Sequence, residues 1–225
     1  MNTLRATGLI LRTRPLTETS LIISWLTPEL GRIATVAKGA RRPKSPFRGI
    51  LDLFHEADFS FARSRRSELH TLREAVLRRT HPSLRRDLSR LRQAAYAAAL
   101  IEQSTETETP IPAVFELLRG LLHHLDQQPP QALTILAFET KLLEELGLSA
   151  VAANPRPAAR LLERLASLLA TDWPALPALQ PGPAQVRDLS RFLDSFLLQH
   201  LGRIPRGRAA ALLEEPDPPL LQPLS

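Results

Sequence analysis

The sequence predicts an α+β protein in which a small all-β unit precedes an all-α helical domain. Residues 6–79 contain short runs rich in Ile, Leu, Val, Thr and Phe, separated by turn residues. Beyond residue 80 the apolar positions recur at spacings of three and four, and prolines separate these periodic segments. We therefore expect a β domain at 1–80, a helical domain at 81–210, and a proline-rich tail at 211–225 that is disordered.

The β unit should contain five strands. They are predicted at residues 6–14, 19–27, 32–38, 50–62 and 68–78. The sequence Thr-Pro-Glu-Leu-Gly at 27–31 predicts a tight turn, because Pro28 suits an early turn position and Gly31 a positive φ. In the fourth strand Ala57, Phe59 and Phe61 alternate with polar residues, so we expect one face to enter the core and the other to contact water.

The helical domain should contain amphipathic helices with short proline-rich connections. A first helix is predicted from residue 83 onward, and others at 113–126, 130–146, 158–170 and 184–201. In the helix at 130–146, Glu139 falls on the same arc as Phe138 and Leu142. A buried carboxylate requires a partner, so we expect a structural ion pair at Glu139, with an arginine of the β unit as a candidate.

Positive charge is concentrated in the N-terminal part of the chain. Residues 1–92 hold 19 Lys and Arg against 8 Asp and Glu, whereas the remainder holds 10 against 15. Residues 38–49, the cationic loop, read KGARRPKSPFRG and contain five cations and no acid. Its Gly and Pro residues oppose helix formation, and its charge favours phosphate over the alternative of a merely solubilising surface loop.

The residues expected to contact nucleic acid form two groups. The cationic loop supplies Lys38, Arg41, Arg42, Lys44 and Arg48, with Phe47 as a ring on which a base could stack. Arginines on predicted strand ends and turns are expected to widen the same surface: Arg12, Arg14, Arg63, Arg65 and Arg66. The remaining aromatic residues of the β unit, Trp25, Phe54, Phe59 and Phe61, lie on predicted strands, where core packing is the commoner fate.

Composition and motifs also argue against disulfide-bonded, zinc-binding, membrane-spanning and enzymatic classes of protein. The chain contains no cysteine, so disulfides and cysteine-ligated zinc are excluded. No run approaches the roughly 20 apolar residues of a membrane span, and we expect a cytoplasmic protein without membrane attachment. No motif for nucleophilic or acid–base catalysis is present, so we do not expect an enzyme.

Several long strings of this sequence are distinctive. They are the opening GLILRTRPLTETSLIISWLTPELGRIATVAKGARRPKS, then LDLFHEADFSFARS and ELHTLREAVLRR, the helical FETKLLEELG, and HLGR near the end. Together they resemble the bacterial recombination mediator RecO family. The resemblance implies that the β unit is a five-stranded OB-fold barrel. It also implies a DNA repair mediator, associated with the nucleoid, that binds single- and double-stranded DNA and anneals complementary strands. The implied partners are RecR and the acidic C-terminal tail of the single-stranded-DNA-binding protein.

The sequence departs from the family pattern at one point. Many members carry four zinc-binding cysteines after the Leu-Gly that here is Leu146-Gly147, but this chain has none, so no metal or other cofactor is expected. For the partner's acidic tail, the resemblance suggests an apolar pocket with a basic rim, for which Phe138, Lys141 and Leu142 are candidates. Two other functions stay open: an RNA-binding barrel protein of RNA processing or ribosome assembly, and a metal-dependent nuclease.

Overall fold

Five strands close into a barrel at the N-terminal end of the chain. The computed structural model describes residues 3–152 and 159–213. The strands are β1 (Thr3–Pro15), β2 (Leu21–Thr27), β3 (Gly31–Ala37), β4 (Glu56–Ala62) and β5 (Leu69–Arg79). Their order around the barrel is β1-β2-β3-β5-β4, with antiparallel neighbours except for the parallel pair β3 and β5. This architecture confirms the predicted OB-fold barrel.

The strand register decides which loops share an end of the barrel. Pro15 pairs with Leu21, and Leu21 pairs with Ala37. The β1–β2 turn and the cationic loop, which follows Ala37, therefore lie at the same end, here called the loop end. Because Leu69 pairs with Ala34 and β5 runs parallel to β3, the β4–β5 loop lies at the opposite end with the β2–β3 turn.

Aromatic residues fill the barrel interior. Trp25 stacks on Phe59 with ring centroids 4.0 Å apart, and its indole N–H donates to the Thr35 hydroxyl at 2.8 Å. The predicted alternation in β4 holds for Phe59 and Phe61, but Glu56 and Ser60 are buried as well. On the outer face of β4 the Ser60 hydroxyl donates to the carboxylate of Glu74 on the neighbouring β5 at 3.3 Å, so a cross-strand side chain contributes to its burial.

The helical domain packs against the barrel through a shared core. Its helices are α1 (Pro82–Arg86), α2 (Leu88–Ser104), α3 (Pro112–Gln127), α4 (Ala132–Glu145), α5 (Ala159–Ala170), a 3₁₀ segment (Trp173–Ala178), α6 (Pro183–Leu201) and α7 (Arg208–Ala211). The predicted first helix divides at Asp87, whose carboxylate caps α2 by accepting from the amides of Ser89 and Arg90. Leu9, Leu11, Leu26 and Phe54 of the β domain belong to the helical core cluster.

The end of the helical domain differs from the prediction. Ala211 and Leu212 are buried, and the side-chain amide of Gln93 donates to the Ala211 carbonyl at 2.8 Å, so residues 211–213 pack with the helices and do not belong to a tail. Residues 214–225, the rest of the predicted tail, and residues 153–158 lie outside the described residues.

Within residues 3–152 and 159–213, no helix is both long enough and apolar enough to cross a lipid bilayer.

Candidate nucleic-acid interface

The cationic loop is an ordered series of turns at the loop end of the barrel. Backbone bonds run from the Arg42 amide to the Gly39 carbonyl at 3.1 Å and from the Ser45 amide to the Arg42 carbonyl at 3.0 Å. The Arg41 amide donates to the Thr19 carbonyl at 3.0 Å, which joins the loop to the β1–β2 turn. The phenyl ring of Phe47 is buried in the barrel core. These contacts order the backbone of the loop and so restrict where its cationic side chains begin.

The five cations of the loop all face solvent. Lys38, Arg41, Arg42, Lys44 and Arg48 are exposed. Within the described part of the chain none of them forms an ion pair; Arg41 instead donates to the Thr17 carbonyl at 3.3 Å. Positive side chains without carboxylate partners attract phosphate groups and release counterions when they bind them.

The arginines predicted to widen this surface divide between the two ends of the barrel. Arg14 is exposed near the end of β1 and lies at the loop end. Arg63, Arg65 and Arg66 follow β4 and therefore lie at the opposite end, so they do not extend the surface of the cationic loop. The expectation of one surface is wrong for these three, because strand register sets which loops are adjacent.

Two predicted DNA contacts are already paired with acids of the helical domain. Arg12 forms an ion pair with Glu102 of α2, and Arg63 forms one with Glu108 in the α2–α3 connection. Both arginines remain about half exposed, at 57% and 52%. Exposed pairs of this kind contribute little to stability.

Phe47 does not provide a stacking platform. Its side chain is only 7% exposed and closes the loop end of the barrel from inside, so the prediction of base stacking at Phe47 is wrong. Trp25, Phe54, Phe59 and Phe61 are buried, as the sequence favoured. These five rings are therefore not available for base stacking.

The sequence-based reasoning missed Arg32, which lies between the barrel and the helical domain. Its guanidinium donates to the Thr105 hydroxyl at 2.8 Å and to the Thr105 carbonyl at 2.5 Å. Burial lowers the pKa of Arg32, and the nearby charge of Glu102 opposes that change. No local pattern indicates this contact, because the partners are 73 residues apart in the chain.

The predicted pocket for an acidic tail is not formed. Phe138 and Leu142 are 0% and 1% exposed, so they belong to the helical core. The Lys141 ammonium donates to the Leu169 carbonyl at 2.7 Å, and burial lowers its pKa. The groove beside Lys141 has an acidic rim of Glu116, Glu144, Glu145 and Asp172, which would repel an acidic peptide.

Glu139 forms the expected ion pair, but with a helical partner and not with a barrel arginine. Its two carboxylate oxygens accept from Nε and Nη2 of Arg208 at 2.7 and 2.8 Å, and the Tyr96 hydroxyl donates to it at 2.5 Å. Desolvation alone would lower the pKa of Arg208, but the hydrogen bonds and charge of Glu139 raise it. The pair fastens α7 to α4 and belongs to the core.

Among the described residues, no group of three or more His, Asp or Glu side chains is placed to hold a metal ion.

A closed five-stranded barrel with an ordered basic loop, joined to a helical domain, is an arrangement typical of nucleic-acid-binding barrel proteins. Residues 1–81 match the family model described as "Recombination protein O N terminal", and residues 85–153 match "Recombination protein O C terminal". The chain therefore belongs to the RecO family.

Individual relatives are similar over about two thirds of the chain. Proteins called "DNA repair protein RecO" are 36% identical over 140 residues in Rhodopirellula baltica, 35% over 146 in Alkaliphilus metalliredigens and 31% over 145 in Bacillus pumilus. These matches cover 62%, 64% and 64% of this chain. They span 52%, 58% and 56% of the relatives' own lengths, so the chain matches little more than half of each relative.

Proposed function

We propose that this protein is a DNA repair and recombination mediator that binds the phosphate backbone of single- and double-stranded DNA at the loop end of its barrel and anneals complementary strands. The observation that supports this most directly is the set of five exposed cations on an ordered loop, none of which forms an ion pair with another described residue. Family membership supports the repair role.

Annealing on this surface requires no catalytic residue, so we propose a binding and assembly factor and not an enzyme. Two complementary strands repel each other through their phosphates, and a basic surface lowers that repulsion. It also raises the local concentration of the strands. Because backbone contacts leave the base edges free, the strands can pair while they are bound.

The salt dependence follows from the number of contacts. Five phosphate contacts, at about 0.7 each for a single strand, give a slope of about −3.5 for the logarithm of the binding constant against the logarithm of the salt concentration. Binding should then weaken on the order of 100-fold between about 50 and 200 mM salt. The triple variant Arg41→Ala/Arg42→Ala/Lys44→Ala should reduce the magnitude of the slope by about 2.

The triple variant should also anneal complementary oligonucleotides more slowly at moderate salt. A matched control removes three exposed cations from the helical domain: Arg160→Ala/Arg187→Ala/Arg191→Ala. The control carries the same net charge as the test variant and should anneal at a rate close to that of the unaltered protein. Equal annealing by all three proteins would contradict the assignment of the cationic loop.

The main alternative is an RNA-binding barrel protein, because a basic surface that contacts phosphates does not by itself distinguish ribose from deoxyribose. Competition between matched RNA and DNA oligonucleotides separates the two functions, and preferential displacement by RNA would favour the alternative. A labelled duplex that is cleaved in Mg²⁺ or Mn²⁺ would instead indicate a nuclease.

We further propose, from the family resemblance, that RecR and the acidic tail of the single-stranded-DNA-binding protein are partners in loading recombinase at coated gaps in the cytoplasm. The acidic groove beside Lys141 has the wrong charge for that tail, so its site should lie elsewhere. Titration of a labelled tail peptide against Lys141→Ala tests this, and we expect unchanged affinity. A large loss of affinity would instead place the tail at Lys141.

A further inference from the structure

Residues 105–109, here called the strap, lie beside the first residues of β3, on the part of its edge that does not pair with β5. The Glu108 amide donates to the Arg32 carbonyl at 2.9 Å, and Arg32 forms a parallel bridge with Thr107. β5 pairs with β3 only from Ala34 to Val36, so the strap continues the sheet beyond that point. The strap also lies tightly on the β2–β3 turn, since a Cβ on Gly31 would come within 1.8 Å of the Thr109 carbonyl oxygen.

The strap and the adjacent end of α2 bring carboxylates to barrel cations. Glu102 pairs with Arg12, and Glu108 pairs with Arg63 and lies 3.1 Å from Nε2 of the buried His70. These contacts neutralise positive side chains on the barrel surface that faces the helical domain. Carboxylate and phosphate oxygens accept from guanidinium groups in the same way, so each carboxylate occupies a place that a phosphate could take.

The position of the strap matters because of the class of barrel. OB-fold barrels commonly bind oligonucleotides on the outer face of strands two and three and the flanking loops. Here that face carries Ser24, Arg32 and Ala34, which line a small cleft together with Glu102, Thr107 and Glu108. The helical domain therefore places acidic side chains where nucleic acid would lie.

We propose that the strap is a built-in competitor for nucleic acid, which a DNA backbone displaces so that Arg12 and Arg63 become additional phosphate contacts. Two features lower the free-energy cost of displacing the strap from the barrel. The ion pairs are partly exposed and therefore weak, and Glu108 adopts a left-handed backbone conformation with φ of 53°, which disfavours its present position.

This inference rests on the proposed function and adds regulation to it. The test uses the full chain and a fluorescent oligothymidylate, with the salt slope of binding as the readout. The variant Glu102→Gln/Glu108→Gln keeps side-chain size and removes the competing charges. Two additional contacts at about 0.7 each should increase the magnitude of the slope by about 1.4 and strengthen binding at low salt.

Two further variants test whether the steeper salt slope and the stronger binding come from Arg12 and Arg63. Glu144→Gln/Glu145→Gln makes the same change in net charge on an exposed part of α4 and should leave the slope unchanged. Adding Arg12→Gln/Arg63→Gln to the strap variant should return the slope to its original value. A strap variant with an unaltered slope, or a gain that survives removal of both arginines, would overturn the inference.

Hydrogen exchange on the unaltered protein gives a second measurement that requires no substitution. The Glu108 amide, bonded to the Arg32 carbonyl, should exchange faster when oligothymidylate is bound, and slower exchange would contradict displacement. The two proposals fail in different ways. If the Arg41/Arg42/Lys44 variant loses binding but the strap variant does not change the slope, only the strap inference fails; if the former binds normally, the proposed function itself fails.

Discussion

The buried ion pair between Glu139 and Arg208 gives a sharp prediction about stability. Glu139 is fully buried and the Arg208 side chain is only 9% exposed. Replacing Glu139 by Leu removes the charge that balances the guanidinium and leaves the Tyr96 hydroxyl without its acceptor. Breaking a buried pair from one side costs about 3–5 kcal/mol, which is on the order of 100- to 5,000-fold in the unfolding equilibrium.

Urea unfolding followed by circular dichroism measures this change. With a denaturant slope of about 2 kcal/mol per molar urea, the midpoint of Glu139→Leu should fall by about 1.5–2.5 M. Arg208→Met should destabilise by a similar amount, since it leaves the carboxylate unpaired. The double variant should recover much of the loss, because two apolar side chains replace both charges and no buried charge remains.

The double variant also tests whether Glu139 and Arg208 are energetically coupled. If the losses of the two single variants simply add, the two side chains are not coupled, and the hydrogen-bonded pair is not what stabilises the site. A Glu139→Leu protein as stable as the unaltered chain would refute the predicted stabilisation as well. Tyr96→Phe is a useful comparison: it removes one hydrogen bond to Glu139 but keeps the ion pair, and should cost about 1 kcal/mol.

Two further predictions concern His81 and Phe47. His81 Nδ1 donates to the Phe54 carbonyl at 2.9 Å, and desolvation lowers the pKa of the buried ring. As the pH falls, the unfolded chain therefore binds a proton at this histidine before the folded chain does. The free energy of unfolding should decrease as the pH drops below about 6.5, by up to about 1.4 kcal/mol per pH unit. His81→Asn keeps a donor and should flatten that dependence in urea titrations at several pH values, whereas an unchanged curve would exclude His81 as its source. Phe47→Leu should keep oligonucleotide affinity within about twofold, because the ring is buried in the barrel core. Phe47→Ala should lower the free energy of unfolding by about 3–4 kcal/mol. A large loss of affinity in a stably folded Phe47→Leu protein would instead support base stacking at Phe47.

Much of the local structure could be predicted from the sequence. Four of the strands and the helices from α2 to α6 lie close to their predicted positions, because each has a clear period and ends at residues that favour turns. The fourth strand is predicted from residue 50 but begins only at Glu56, since residues 50–55 form turns that follow the cationic loop. Gly31 adopts the expected positive φ of 64°. The cationic loop was also evident, since its composition and its Pro and Gly residues act locally.

Other features depend on contacts between distant parts of the chain. Phe47 looked like an exposed ring in a polar loop, yet the closed barrel has a space at its end that the ring fills. Arg63, Arg65 and Arg66 looked like neighbours of the loop, yet the parallel pairing of β3 with β5 places them at the other end. Neither outcome follows from periodicity, which gives the face of a strand but not its partners.

The fold class, the order of the elements and the location of the strongest positive charge can therefore be inferred from the amino-acid sequence, because these depend on residue types and spacings within short windows. Which cations are neutralised by a carboxylate depends instead on the three-dimensional packing of the chain. Ion pairs such as Arg12 with Glu102, and the buried pair of Glu139 with Arg208, form between residues that lie far apart in the sequence. Their geometry depends on how the helical domain packs on the barrel, and no short segment of the chain encodes that packing.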